Sequence, residues 1–246
     1  MRYVLLLLIA LLISGCHGPK ATSADEHLKR GNDLADRGDL DGAIAEYDKA
    51  IALNPNHPYY YFNRGNARKD KREYGLAIAD YDKALSIDAN IPEAYNNRGV
   101  AKMNKGEVNA AVADFTNAIN TNPNHANAYN NRGYLKQELG DTEGARADYE
   151  KAIALNPGDA YFYNNRGNLR RVQGDLVGAL GDINKSIALD SDNAEAYCNL
   201  SLVFLSQNDE AKAKSNLEKC YADAQLKSKY EPLVNVVKQK RSMSKR

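Results

Sequence analysis

The chain has 246 residues, of which 43% are hydrophobic and 26% charged, and its formal net charge is +1. A balance this close to zero gives no global attraction to nucleic acid, and the apolar content is ordinary for a packed globular protein. Trp is absent while Tyr numbers 16, an imbalance that the repetition described below accounts for.

At the amino end, Arg2 precedes an unbroken apolar run of ten residues from Val4 to Ile13. A membrane-crossing helix needs roughly 20 such residues, so residues 1–15 read as a secretion signal and not as a spanning anchor. The run leads into Ile13-Ser14-Gly15-Cys16, an aliphatic residue, two small ones and a cysteine. This resembles the lipobox of bacterial lipoproteins. The resemblance implies that a diacylglyceryl group joins the Cys16 sulfur, that cleavage precedes Cys16, and that the new amino group is acylated. Several acyl chains, each buried methylene contributing about 0.8 kcal/mol, would then hold the protein stably at a membrane. Residue 17 is His where retention at the inner membrane usually uses Asp, which points to the outer membrane and its periplasmic face. Residues 16–23 form the lipidated cysteine and a tether, and the seven residues from His17 to Ser23 reach at most roughly 25 Å. The folded part is therefore expected to work close to the membrane of the cell envelope.

From Ala24 onward the sequence repeats every 34 residues, in six units: 24–57, 58–91, 92–125, 126–159, 160–193 and 194–227. The eighth residue of a unit is Gly31, Gly65, Gly99, Gly133 or Gly167, then Ser201. The twentieth is Ala in all six, and the twenty-fourth is Tyr47, Tyr81, Phe115, Tyr149, Ile183 or Leu217. The fourth is His27, then Tyr61, Tyr95, Tyr129, Tyr163 and Tyr197. Small residues at fixed places let two antiparallel helices approach closely, and the bulky ones fill the space between them. Gly38, Gly106, Gly140 and Gly174 end the first helix of their units, and Pro55, Pro123 and Pro157 stop the second. A period this long means one supersecondary unit stacked on copies of itself.

These spaced positions resemble the tetratricopeptide repeat family over residues 24–227. The resemblance implies an all-α fold, a right-handed α-solenoid of six helix pairs whose first helices line a concave groove. The sixth unit has lost the glycine and the proline, as terminal repeats often do. Within it, Cys198 and Cys220 read as two packed thiols on antiparallel helices, with a bridge open to them if the protein is exported. Residues 228–246 are expected to supply a short capping helix starting near Pro232, followed by a basic tail. From Lys227 to Arg246 the end of the chain carries seven basic residues against Glu231.

Two recurring features exceed what packing requires. Arg30, Arg64, Arg98, Arg132 and Arg166 stand at the seventh place, and Glu46, Asp80, Asp114, Asp148 and Asp182 answer at the twenty-third. Both members change together in the sixth unit, to Leu200 and Asn216, which points to a structural ion pair inside each repeat. The second feature is asparagine. Asn63, Asn97, Asn131, Asn165 and Asn199 recur at the sixth place, and Asn96, Asn130 and Asn164 add a second at the fifth. Each costs a helix interior roughly half a kcal/mol relative to Ala. The resemblance places the second, fifth, sixth, ninth, twelfth and thirteenth residues of each unit on the groove. An amide there offers donors and an acceptor to the backbone of an extended peptide of any sequence, with Tyr59, Phe62, Tyr134 and Tyr161 adding apolar contact. The other reading is a solvated face copied by duplication, or bonds between neighbouring helices.

The family's clamp for chaperone tails is excluded, because its cationic places hold Leu28, Glu93 and Asn97. The four His residues are scattered, no His/Cys/carboxylate group has metal-ligand spacing, and no phosphate-cradling glycine loop appears. No enzyme activity and no metal or cofactor is expected. The sequence leads to an envelope adaptor whose groove recruits an extended peptide segment, without nucleic acid. Two other roles stand beside it: a pilotin-like assembly factor for a secretin or pilus, and a homo-oligomer associating through the face of Leu202 and Leu205.

Overall fold

The structure is a computed structural model that describes residues 22–244, with side chains through 236. The signal run, Cys16 and most of the tether lie outside the described residues. Within them there are thirteen α-helices and no strand. They come as six antiparallel pairs: α1 (Ala24–Asp36) with α2 (Leu40–Leu53), α3 (Pro58–Asp70) with α4 (Tyr74–Ile87), and α5 (Pro92–Asn104) with α6 (Val108–Thr121). Next come α7 (Ala126–Glu138) with α8 (Thr142–Leu155), α9 (Ala160–Val172) with α10 (Leu176–Leu189), and α11 (Ala194–Ser206) with α12 (Glu210–Cys220). A final helix, α13 (Ala224–Ser244), packs along α11. The fold is an all-α helical repeat solenoid.

The hairpins are written locally. Gly106 takes φ +80 directly after the first helix of its pair, where a side chain would be strained. Arg72 and Asn208 occupy the same place in their units and are forced to φ 63 and 66. Asp39, Asp141, Asp175 and Asp209 then cap the second helices by accepting from a backbone N–H three residues on. Glu73 and Glu107, one methylene longer, make no such bond. Close approach within a pair rests on glycine. A Cβ on Gly99 would stand 2.7 Å from Phe115 Cε1, so the aromatic ring fills the space that a side chain would take.

The charged pairs sit at the junction between the two helices. Arg98 holds Asp114 through Nε (2.9 Å) and Nη2 (2.6 Å), and the Asp114 side chain is only 3% exposed. Arg64 with Asp80, Arg132 with Asp148 and Arg166 with Asp182 repeat the geometry. Each carboxylate also takes a second cation one turn further along the first helix: Arg68, Lys102, Lys136 or Arg170. Arg64 and Arg98 reach back to Asp48 and Asp82 of the preceding unit, so these clusters bind neighbouring repeats as well. The guanidinium of each of the four arginines also lies over its unit's Tyr ring at 5.4 to 5.8 Å. The first unit departs from the expected pattern. Arg30 is exposed, and Glu46 bonds instead to His27 Nδ1 at 2.6 Å and to Lys49. His27, standing where later units have Tyr, brings an imidazole nitrogen to the carboxylate that a phenyl ring could not.

Three expectations at the carboxyl end are corrected. Cys198 and Cys220 are joined in a disulfide, with Cα atoms 4.9 Å apart and both residues fully buried. They stand equally far from the turn of their hairpin, as Gly99 and Phe115 do in theirs, and antiparallel helices bring such places together. The cap begins earlier than Pro232. Helix α12 stops at Cys220, and the Asp223 carboxylate accepts from the backbone N–H of Gln225 and Leu226 to start α13. Pro232 lies in the helix interior and is exposed, so the carbonyl it leaves unpaired faces water. Tyr230 and Val234 of α13 cover Leu202 and Leu205, each 1% exposed, in one cluster with the disulfide. The face expected to mediate self-association is thus covered by the chain's own last helix.

Asp114→Ala would leave Lys102 without its carboxylate and Arg98 with only the exposed Asp82, and should cost about 3 kcal/mol. Lys102→Met, which leaves the better-buried pair intact, should cost less than about 1 kcal/mol; urea-unfolding midpoints compare the two, and equal losses would contradict the assignment. Cys198→Ser should destabilise the α11–α13 end by about 3 kcal/mol, as a loop of this length predicts. Hydrogen exchange would show that loss as faster amide exchange in α11 to α13 with α1 to α6 unchanged.

Candidate functional site

The first helices contact one another in sequence, α1 with α3, α3 with α5, α5 with α7, α7 with α9, and α9 with α11. They form a continuous inner row, and the asparagines lie along it. The two asparagine places do different things. At the fifth place, Asn96, Asn130 and Asn164 are 7%, 8% and 1% exposed. Their carbonyl oxygens accept from the side-chain N–H of the sixth-place Asn one repeat on: Asn131 to Asn96 at 3.1 Å, Asn165 to Asn130 at 2.9 Å, and Asn199 to Asn164 at 2.9 Å. The fifth-place amides are therefore braces between repeats. In α3 the fifth place is Phe62, which has no acceptor and packs into the core beside Tyr81 and Leu85. Asn97 accordingly bonds to Asn66 Oδ1 at 2.9 Å, an acceptor that also takes the Tyr81 hydroxyl at 2.8 Å.

Two of the sixth-place amides, Asn131 and Asn165, keep something in reserve, whereas the Asn97 carbonyl already takes the Asn96 side-chain N–H at 3.1 Å. Asn63, Asn97, Asn131 and Asn165 are half-buried. In Asn131 and Asn165 the N–H is held by the preceding repeat, which fixes the orientation of the group. Their carbonyl oxygens have no partner among the described residues and are open to the groove. Asn199 is different. It is 2% exposed and its carbonyl oxygen accepts from the Tyr230 hydroxyl at 3.3 Å, so α13 removes it from the groove.

Asn131 and Asn165 line a cavity of about 520 Å³ with Tyr134 (38% exposed), Tyr161 (55% exposed) and Met103. Asn96 and Asn130 reach its wall behind them. Of the aromatic residues expected on the groove, Tyr134 and Tyr161 are here, and Tyr59 is exposed further toward the amino end. Burial pushes the Tyr134 hydroxyl above the ordinary phenol value, with Glu138 adding to it, so it remains a neutral donor. Glu195, Lys229 and Tyr230 close the carboxyl end, where Lys229 Nζ lies 2.6 Å and the Tyr230 hydroxyl 3.0 Å from Glu195 Oε1. At the other end, Asn63, Asn66, Asp36 and Asp70 line a separate cavity of about 410 Å³. No group of three or more His, Cys, Asp or Glu side chains among the described residues could hold a metal ion.

Comparison with known proteins agrees with this architecture. The TPR repeat family matches residues 31–71 and 68–106. Tetratricopeptide repeat profiles match 92–125, 126–159, 148–181 and 194–222. The chain belongs to the tetratricopeptide repeat family. Among solved structures it is similar to MamA, with 28% identity and a TM-score of 0.59 over 67% of this chain and 96% of that one. It is also similar in fold to Pseudomonas aeruginosa PilF, at 18% identity and a TM-score of 0.72 over 85% of this chain and 96% of that one. A third similar fold is YrrB, described as a tetratricopeptide repeat protein with an unusual peptide-binding site, at 24% identity and TM-score 0.56 over 73% and 94%. No curated protein matches the chain in sequence. As a tetratricopeptide repeat protein it is a scaffold for protein–protein interaction.

Sequence reading missed the acceptor Asn66, the second cations Arg68, Lys102, Lys136 and Arg170, and the groove contribution of Lys229. The second cations recur every 34 residues and were detectable by period alone. Lys229 was not, because it belongs to a helix outside the repeats. Asn164→Ala would leave the N–H of fully buried Asn199 unpaired and should cost about 2 kcal/mol, whereas half-buried Asn63→Ala should stay within about 0.5 kcal/mol. Thermal melts of the two variants test the difference.

Proposed function

We propose that this protein is a lipid-anchored adaptor of the bacterial cell envelope that holds an extended peptide segment of an envelope protein in its groove. The observation that carries the peptide reading is the pair of oriented, unoccupied carbonyl acceptors on Asn131 and Asn165, flanked by Tyr134 and Tyr161. An extended peptide leaves half its backbone N–H groups pointing one way, and fixed acceptors one repeat apart receive them without ordering cost at the moment of binding. Neighbouring rings supply apolar area. Recognition of this kind reads backbone first and side chains second, which suits an adaptor. The anchoring reading rests on the run from Val4 to Ile13 and the lipobox ending at Cys16. Acylation there would hold the solenoid at the outer membrane with its groove facing the periplasm. No described helix is long and apolar enough to cross a membrane, so stable attachment would come from the acyl chains.

Cell fractionation and crosslinking test the two halves. Cys16→Ser should move the full chain out of the membrane fraction, and its persistence there would overturn the anchor. A photo-crosslinker placed at position 134 in intact cells should capture a discrete partner. Asn131→Ala combined with Asn165→Ala, checked for an unchanged melting profile of α1 to α6, should lower that yield about tenfold. An undiminished yield would overturn the peptide reading.

A further inference from the structure

Among the described residues, every arginine and lysine that the first helices of repeats two to five place against the core has a carboxylate, with one exception. Arg171, on the last turn of α9, directs its guanidinium to the Asn168 side-chain carbonyl alone, at 3.2 Å from Nε and 2.8 Å from Nη2. Its neighbours in the same turn region are satisfied: Arg166 and Arg170 both hold Asp182. Two acids line the same cavity as Arg171: Glu195, which is engaged by Lys229 and by the Tyr230 hydroxyl, and Glu138, which makes no ion pair with Arg171. Arg171 lines a small cavity of about 150 Å³ with Asn168, Asn199, Tyr134 and Tyr230. That cavity shares Tyr134, Asn165, Glu195 and Lys229 with the larger one holding the free acceptors, so the two are contiguous.

Accepting the peptide-groove reading above, we propose that Arg171 is the anion-binding end of the groove and receives a carboxylate of the bound peptide. A planar guanidinium offers two parallel donors to a carboxylate, and one arm is still available after the contact with Asn168. The cavity is the right size for a chain terminus or one acidic side chain, and not for a folded surface. The groove's two ends differ in charge, since Asp36 and Asp70 line the amino-end cavity without a cation, while at the carboxyl end Glu138 and Glu195 are balanced by Arg171 and Lys229. A peptide whose acidic end lies at Arg171 is thus favoured over one laid in the opposite sense. Burial holds the Arg171 pKa below the ordinary guanidinium value, while the carboxylates of Asp148 and Asp182 raise those of Arg132 and Arg166. An incoming carboxylate would supply what Arg171 lacks. An Arg171 that served only the carboxyl end of its helix through the dipole would need no ligand.

The test uses the full chain in detergent micelles, observed by NMR through the Arg side-chain Nε–H resonances, with that of Arg171 identified by its loss in Arg171→Gln. Three short Tyr/Ala peptides are titrated at millimolar concentration: one with a free terminal carboxylate, its terminal amide, and the amide carrying one internal Glu. The Arg171 resonance should move with a carboxylate peptide and not with the uncharged amide. Which of the two carboxylate peptides acts identifies the source, a chain terminus or a side chain. Arg171→Gln should weaken that peptide about tenfold and bring it level with the amide, while Arg171→Lys should recover part of the loss. If all three peptides shift the Asn131 and Asn165 side-chain amides equally and leave Arg171 unmoved, the carboxylate site is wrong and the groove reading stands. If none shifts Asn131, Asn165 or Arg171, both are overturned.

Discussion

The stack depends on how closely the two helices of one pair approach. Gly99 against Phe115, repeated as Gly65 against Tyr81 and Gly133 against Tyr149, lets a ring occupy the space a side chain would need. Once that distance is set, the remaining places on each helix have fixed partners. The arginine reaches the aspartate, the tyrosine lies beneath the guanidinium, and the fifth-place amide is turned toward the next repeat. A looser pair would leave each of these polar groups half-satisfied, which is costly in a buried seam.

The asparagine ladder follows from this geometry, and it joins two roles that had looked like alternatives. The bonds between neighbouring helices are real, and they use the fifth-place carbonyl and the sixth-place N–H. What they leave over, at Asn131 and Asn165, is the sixth-place carbonyl, held in one orientation by the bond on its other side. Bracing the stack and presenting acceptors to the groove are thus the work of the same amides. A solvated face copied by duplication would not give this directional pattern from one repeat to the next.

The ends of the solenoid are where its character changes. At the carboxyl end the polar seam gives way to an apolar cluster around the Cys198–Cys220 bridge, and α13 supplies the surface that a seventh repeat would have covered. Terminal units of a stacked array need such a cover because each repeat buries its faces only against neighbours. The same helix takes Asn199 out of the groove and brings in Lys229 and Tyr230, so the cap also shapes the site.

Periodicity by itself determined the helix pairs and the places of the arginine–aspartate contacts in repeats two to five, because each depends on spacing within one hairpin. It also pointed to the asparagines, since eight costly residues do not recur without a reason. Tertiary structure decided which face each asparagine meets. Fifth and sixth places are adjacent in sequence, and about 100° of helix rotation separates a buried brace from a groove acceptor. Packed thiols are the expectation from sequence where Cys198 and Cys220 form a disulfide, because that expectation leaves unused the equal distances of the two residues from their turn. The start of α13 is misplaced from sequence because Pro232 is a stronger signal than the capping Asp223. Arg171 is the clearest case of what sequence cannot supply. Of the other units only the second has a cation at its place, Lys69, and that one pairs with Asp70; what sets Arg171 apart is the carboxylate that, among the described residues, each neighbouring arginine has and it lacks.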